Sequence, residues 1–216
     1  MSLKQEIEKA QQESMKQIPE DTLKTLIAAT ERLVQSGLTN KSLRKGDKAP
    51  SFTLPNAAGN PVNSSKLLND GPLVVSFYRG GWCPYCNLEL HALQQAFTQM
   101  KEFGAQLVAI SPETPDHSLS TSEKHSLKFE VLSDVGNRVA REFGLVFVLA
   151  EELRPTYKEF GIDLPAFNGD DSYELPVPAT YVIGSDGTIV YSFVNADYTQ
   201  RAEPADIIDV LKDMNA

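Results

Sequence analysis

Two cysteines, three histidines and one tryptophan in 216 residues leave little room for several kinds of chemistry. A disulfide-stapled scaffold needs more thiols than this. A zinc site needs four ligands, and Cys83 and Cys86 would have to recruit His91, His117 or His125, none of which stands at a convincing spacing. No apolar run reaches the roughly 18 residues that span a membrane as a helix. Basic residues are also short, with 20 Lys and Arg against 29 Asp and Glu, and the net charge of −9 argues against nucleic acid or an anionic membrane as the main partner. The opening Met1-Ser2-Leu3-Lys4-Gln5-Glu6 lacks the apolar core of a secretory signal, so a cytoplasmic location is expected. Internal repeats and low-complexity tracts are missing too.

What the chain does have is concentrated in Phe77-Tyr78-Arg79-Gly80-Gly81-Trp82-Cys83-Pro84-Tyr85-Cys86, which holds both cysteines. An apolar, β-favouring run from Leu73 to Tyr78 ends in a glycine pair, and an amphipathic pattern follows, so the stretch reads as strand, tight loop and helix start. Cys83 then falls at the N-cap and Pro84 at the first helical position, where its missing N–H costs nothing. A Cys83 thiolate there meets the free N–H groups of Tyr85 and Cys86 and the positive end of the helix, conditions that lower a thiol pKa. Cys86 lies one turn further on, within disulfide reach, so one sulfur can attack and the other resolve. A Cys-x-x-Cys pair inside a βαβ pattern is a redox signal; zinc binding is the competing reading, and a structural disulfide would close too short a loop to constrain much.

In chain order, residues 3–18 predict a weakly buried helix with a thin apolar row at Leu3, Ile7 and Ala10. A second helix carries Leu23, Leu26, Ile27, Leu33 and Val34 on one face and stops at Gly37, and that face needs either its own domain or a second copy of the chain. The segment 1–40 is therefore an N-terminal helical extension. Residues 46–214 form the main domain, opening with a short strand at Phe52 and Leu54 and a brief helix capped by Ser64 or Ser65. Leu73–Tyr78, a long helix with Leu93, Ala96, Phe97, Met100 and Phe103 on its core face, and the strand 106–111 make a right-handed βαβ unit, which puts the cysteine loop at a strand's carboxyl end. A looser helix–strand–helix repeat follows, then an apolar stretch at 145–149 that reads as a strand or as a buried connector. The segment 150–176, broken by Pro155, Pro165 and Gly169, reads as an insertion near the cysteines. A hairpin around Gly184-Ser185-Asp186-Gly187 and a last helix from Pro204 close the chain.

Several motifs resemble the alkyl hydroperoxide reductase/thiol-specific antioxidant (AhpC/TSA) family of peroxiredoxins. They are the entry Gly46-Asp47-Lys48-Ala49-Pro50-Ser51-Phe52-Thr53-Leu54, the strand end Phe77-Tyr78, Leu132-Ser133-Asp134 before a helix, and Ala179-Thr180-Tyr181-Val182-Ile183 before Asp186-Gly187. The resemblance implies an α/β thioredoxin-like fold, a central mixed sheet flanked by helices. Family members place the peroxide-attacking cysteine in Pro-x-x-x-Thr/Ser-x-x-Cys; here Arg79 takes the proline's place, Cys83 the threonine's, and Cys86 the attacking position. The thioredoxin register of Trp82-Cys83-Pro84-Tyr85-Cys86 makes Cys83 the nucleophile instead, with Trp82 shielding it. Where the family carries an arginine, this chain has Val177-Pro178, and Pro178 matches the cis-proline that thioredoxins set against their cysteines. Arg79 either replaces the lost positive charge or is a solvated loop residue.

The resemblance implies a thiol-dependent peroxidase cycling through a Cys83/Cys86 disulfide without a cofactor or metal. Its partners are then a peroxide and a thioredoxin-like or glutathione-type reductant. Exchange with protein disulfides, and a binding module that has lost turnover, are the alternatives.

Overall fold

Two helices come first, α1 (Leu3–Met15) and α2 (Glu20–Gln35). A two-stranded ribbon, β1 (Thr53–Pro55) and β2 (Pro61–Asn63), and α3 (Ser64–Asp70) lead to β3 (Leu73–Phe77). Then come α4 (Pro84–Glu102), β4 (Gln106–Ser111), α5 (Pro115–His125), β5 (Glu130–Ser133), α6 (Arg138–Glu142) and β6 (Val146–Val148). The chain closes with α7 (Arg154–Glu159), α8 (Leu164–Asn168), β7 (Glu174–Pro176), β8 (Ala179–Ile183), β9 (Ile189–Val194) and α9 (Pro204–Met214). This computed structural model describes residues 1–215.

The main sheet runs β5-β4-β3-β8-β9. β3, β4 and β5 are parallel, as the βαβ pattern predicts, while β8 and β9 are antiparallel additions on the other side of β3. Every residue of β3 is buried, the burial of a central strand covered on both faces. Its side chains alternate between two cores. Val74 points to the side packed by Leu90, Leu93 and Met100 of α4, Ile207 and Leu211 of α9, and Leu3 and Ile7 of α1. Leu73, Val75 and Phe77 point to the other side, where Phe143 and Tyr181 lie, with Leu33 of α2 against its edge.

The N-terminal helices are more firmly attached than a thin apolar row suggests. Leu3 and Ile7 are buried, and the Glu203 carboxylate just before α9 accepts hydrogen bonds from the Leu3 and Lys4 N–H groups at 3.1 and 2.7 Å. α2 lies on its own chain through Leu26, Ala29 and Leu33, leaving Ile27 and Val34 exposed. The segment 150–176 holds the 3₁₀ turn Glu151–Leu153, α7 and α8, and ends in β7, which pairs with β6 as a separate ribbon. Leu149 just before it and its Leu153, Tyr157, Leu164 and Leu175 form a third, smaller core.

Two local expectations are corrected. Asn63, not Ser64 or Ser65, caps α3, its side chain accepting from the Lys66 N–H at 3.0 Å; Ser64 instead turns its hydroxyl to the Phe52 N–H at 2.9 Å. The bond before Pro178 is trans, since no cis peptide occurs among the described residues. Val177 donates its N–H to the Leu145 carbonyl and Ala179 already pairs with Phe77, so the backbone continues extended from β7 into β8, where the ordinary isomer serves. Pro178 is buried at that junction, one residue from the strand pair that ends at the cysteine loop.

Candidate active site

Beyond β3, Tyr78 still follows the sheet, its N–H donating to the Ile110 carbonyl at 2.9 Å. The chain then turns through Gly80 and Gly81. Gly80 has φ 151, and a side chain there would begin 2.3 Å from the Trp82 indole nitrogen; a Cβ on Gly81 would lie 2.1 Å from the Thr121 hydroxyl. Only glycine fits this approach. The turn is fastened on both sides, by the Gly81 N–H donating to the Glu113 carboxylate and by the Asn87 side-chain amide donating to the Gly81 carbonyl, each at 2.9 Å.

Cys83 is the N-cap of α4 with extended backbone (φ −86, ψ 117), and Pro84 opens the helix. The Cys83 sulfur does not reach the geometry of a capping hydrogen bond, although the Cys86 N–H lies near enough to act on it weakly. Burial pushes its thiol up, but the hydrogen bond with the Cys86 thiol and the charges of Arg79 and Arg201 outweigh this and bring it down to about 6, with the Cys86 N–H the weakest contributor. Cys86, fully buried, is pushed the other way by desolvation and by Cys83 beside it. The two thiols are thus held in opposite protonation tendencies, the arrangement an attacking and a resolving sulfur require.

Arg79 is 3% exposed, which overturns its reading as a solvated loop residue. Its guanidinium carbon lies 4.5 Å from the Tyr198 ring centre, 5.0 Å from Trp82 and 5.7 Å from Tyr157, and it hydrogen-bonds the Tyr157 hydroxyl. Stacking a cation on three rings recovers part of what dehydration costs. Trp82 is half-buried and meets Tyr157 edge-on at 5.8 Å; Tyr85 meets Tyr198 at 5.8 Å.

A second arginine reaches the site from far along the chain. Arg201, in the segment between β9 and α9, points one nitrogen at the Cys86 sulfur at 3.4 Å. Its Nε donates to the Glu89 carboxylate at 2.6 Å, and the remaining nitrogen donates to the Tyr198 and Gln200 carbonyls. Thr180 of β8 donates to the other Glu89 oxygen at 3.4 Å. Burial pushes the Glu89 carboxyl up to about 7 even against the pull of Arg201. Glu113 is likewise pushed to about 7 by burial, opposed by its hydrogen bond from Gly81.

Sequence reasoning missed Arg201, Glu89, Glu113, Tyr157 and Tyr198. A trace was present for Glu89: a carboxylate one turn after Cys86 stands on the helix face that also carries Leu90 and Leu93. Arg201 stands 115 residues from the cysteine it faces, and no local pattern announces it.

Above the sulfurs lies an open cleft of about 690 Å³. Cys83, Arg79, Trp82 and Tyr85 form its floor; Ser14, Gln17, Ile18 and Leu26 form one wall, and Tyr157, Phe160, Gly161 and Ile162 the other.

A mixed sheet with a Cys-x-x-Cys pair at the turn from its central strand into a helix defines the thioredoxin fold, which solved structures bear out. Peroxidoxin BcpB of Mycobacterium tuberculosis superposes with a TM-score of 0.64 at 22% identity, covering 81% of this chain and 99% of that one. A PrxQ mutant of Xylella fastidiosa gives 0.64 at 14%, covering 81% and 98%. Within that fold the lineage is specific: the AhpC/TSA family pattern matches residues 45–192, and the chain belongs to this family. Among curated relatives, chloroplastic peroxiredoxin Q of Sedum lineare is 36% identical over 101 residues, 47% of this chain and 54% of the relative. The Oryza sativa subsp. japonica peroxiredoxin Q is 30% identical over 151 residues, 70% and 59% of the two chains. Peroxiredoxin Bcp of Escherichia coli K12 is 32% identical over 103 residues, 48% and 65%. The chain thus spans between about half and two thirds of the length of these relatives. No helix among the described residues is long and apolar enough to cross a membrane.

Proposed function

We propose that this chain is a thiol-dependent peroxidase in which Cys83 attacks the peroxide and Cys86 resolves the product. The observation that carries the reading is the division of labour between the sulfurs: Cys83 lines the cleft with its thiol lowered to about 6, and Cys86 lies sealed beneath it with its thiol raised. The Cys83 thiolate attacks the near, hydroxyl-bearing peroxide oxygen, so that an S–O bond forms as the O–O bond breaks. That oxygen keeps its proton in the sulfenic acid, and the far oxygen leaves as alkoxide or hydroxide and takes a proton from water to become alcohol or water. Cys86 then attacks the sulfenic sulfur, its thiol proton and the sulfenic oxygen leave as water, and a Cys83–Cys86 disulfide remains. Arg79 stabilises the thiolate and the negative charge that spreads over the breaking O–O bond. Two-electron reduction of the disulfide by an external thiol closes the cycle, which suits a compartment that keeps dithiols reduced, the cytoplasm among them.

Family membership supports this reading, as do the relatives' names, peroxiredoxin Q and peroxiredoxin Bcp. One observation favours the reverse assignment: Arg201 contacts Cys86, not Cys83, so in the family register Cys86 is the attacking sulfur. Separate Cys83→Ser and Cys86→Ser variants, given a stoichiometric pulse of hydrogen peroxide and probed with a dimedone-type reagent, distinguish the two. Sulfenic acid is expected in Cys86→Ser and not in Cys83→Ser; the opposite result transfers the attack to Cys86, and no peroxide consumption by the reduced parent protein ends the peroxidase reading.

A further inference from the structure

We propose that the cleft over Cys83 is a binding site for a low-molecular-weight anionic thiol, which reduces the Cys83–Cys86 disulfide directly in place of a thioredoxin-type protein. The proposal rests on the foregoing reading only in taking Cys83 as the sulfur that faces the cleft.

Access is the first argument. Cys83 is 1% and Cys86 0% exposed, so a partner must descend to the sulfur. The floor is flanked by Ser14 to Ile18 and Leu26 on one side and Tyr157 to Ile162 on the other. Both walls are pinned. α1 is anchored by buried Leu3 and Ile7 and by Glu203 at its N-terminus; α2 is joined to the insertion by the Arg32–Glu152 ion pair and by Leu26 and Ala29 packed against its core. A protein presenting a surface cysteine would have to part these walls. A small thiol would not, and 690 Å³ lies within the roughly 300–1,000 Å³ of sites for small molecules.

Charge is the second argument. Arg201 is already paired with Glu89, whereas Arg79, equally buried, meets aromatic rings and a tyrosine hydroxyl, and its Nε has no hydrogen-bond partner. Among the described residues no carboxylate lies within ion-pair distance of it. In the dithiol form the Cys83 thiolate balances this cation. Disulfide formation removes that anion and leaves a dehydrated positive charge at the cleft floor, so the oxidised state attracts an incoming thiolate. The thiolate attacks the Cys83 sulfur, forming a mixed disulfide as the Cys83–Cys86 bond breaks and Cys86 leaves as a thiolate that takes up a proton. A second thiolate attacks the bound thiol's sulfur, releasing the small disulfide and restoring the Cys83 thiolate.

The test uses the full chain, oxidised with diamide so that no peroxide enters, and follows Trp82 fluorescence and free thiols during re-reduction. Reduced glutathione is the small probe and a reduced thioredoxin the protein probe. Glutathione is expected to exceed thioredoxin by about tenfold in second-order rate constant. Arg79→Gln is expected to lower the ratio of the glutathione rate to the 2-mercaptoethanol rate, because only the first carries carboxylates; Ile18→Trp, or Leu26→Trp should that variant misfold, is expected to slow glutathione by narrowing the cleft. Equal or faster reduction by thioredoxin overturns the proposal, as does failure of glutathione to reduce the disulfide or an unchanged ratio in Arg79→Gln. Absence of peroxide consumption, by contrast, removes the peroxidase reading and leaves this result standing.

Discussion

Glu113 shows how a single buried carboxylate links the loop to pH. Its acid is raised from the usual value of 4.5 to about 7, so the fold prefers the protonated form. A group raised in this way contributes stability that is fully present below its unfolded pKa and is lost as pH climbs through the folded one. Glu89 acts in the same direction over the same window, and Cys83, being lowered, acts oppositely between about 6 and its unfolded value. Glu113→Gln keeps an acceptor for the Gly81 N–H and removes the titration. Its stability relative to the parent, from urea unfolding, is expected to rise between pH 4.5 and 8 by on the order of 2–3 kcal/mol, with the other groups cancelling in the difference. A difference that stays flat with pH would show that Glu113 is not held protonated by the fold. Local chemistry placed Cys83 at the cap and Pro84 behind it because both follow from a strand, two glycines and a helix pattern. Arg79's burial was not legible, because the rings that cover it include Tyr157 and Tyr198, brought in from distant elements.

At the scale of elements, regular pieces with a strong period were readable and irregular ones were not. β3 and α4 announce themselves through an apolar run and a glycine stop at Gly104, whose φ of 75 ends the helix. The 150–176 segment carries no period, since its order comes from Tyr157, Leu164 and Leu175 meeting one another and from β7 pairing with β6. α1 is the case in which the sequence understated the packing: two apolar residues four apart suffice when both are buried against α4. Ile7→Ala is expected to cost about 2–4 kcal/mol in denaturant unfolding, with Trp82 fluorescence and helical circular dichroism still changing together. A cost below about 0.5 kcal/mol, or an early separate loss of helix, would show α1 to be an appendage and not part of the cooperative unit.

For the molecule as a whole the relevant quantity is its net charge of −9 around a cleft floored by a cation. At long range the surface repels anions, and salt screens this over roughly 8–10 Å at physiological ionic strength. Peroxide consumption, involving a neutral molecule, is expected to change little between 20 and 300 mM salt, whereas re-reduction by glutathione is expected to speed up by about two- to threefold over that range. Slowing of the thiol step with salt would mean that the local cation outweighs the global charge even at a distance. A marked salt dependence of the peroxide step would mean that salt acts on the site itself and not on the approach of a charged reactant.

The geography of Arg201 has a practical side. The family pattern ends at residue 192, before this arginine, and begins at 45, after the helices that wall the cleft. The matched region and the reaction vessel therefore do not share borders. A fragment trimmed to the pattern would keep both sulfurs while losing the Arg201 guanidinium, which both contacts Cys86 and pairs with Glu89, and one side of the cleft. Relatives that agree closely within the pattern can accordingly differ in what reaches the sulfur, because one wall of the cleft, Ser14 to Leu26, and Tyr198 lie outside it.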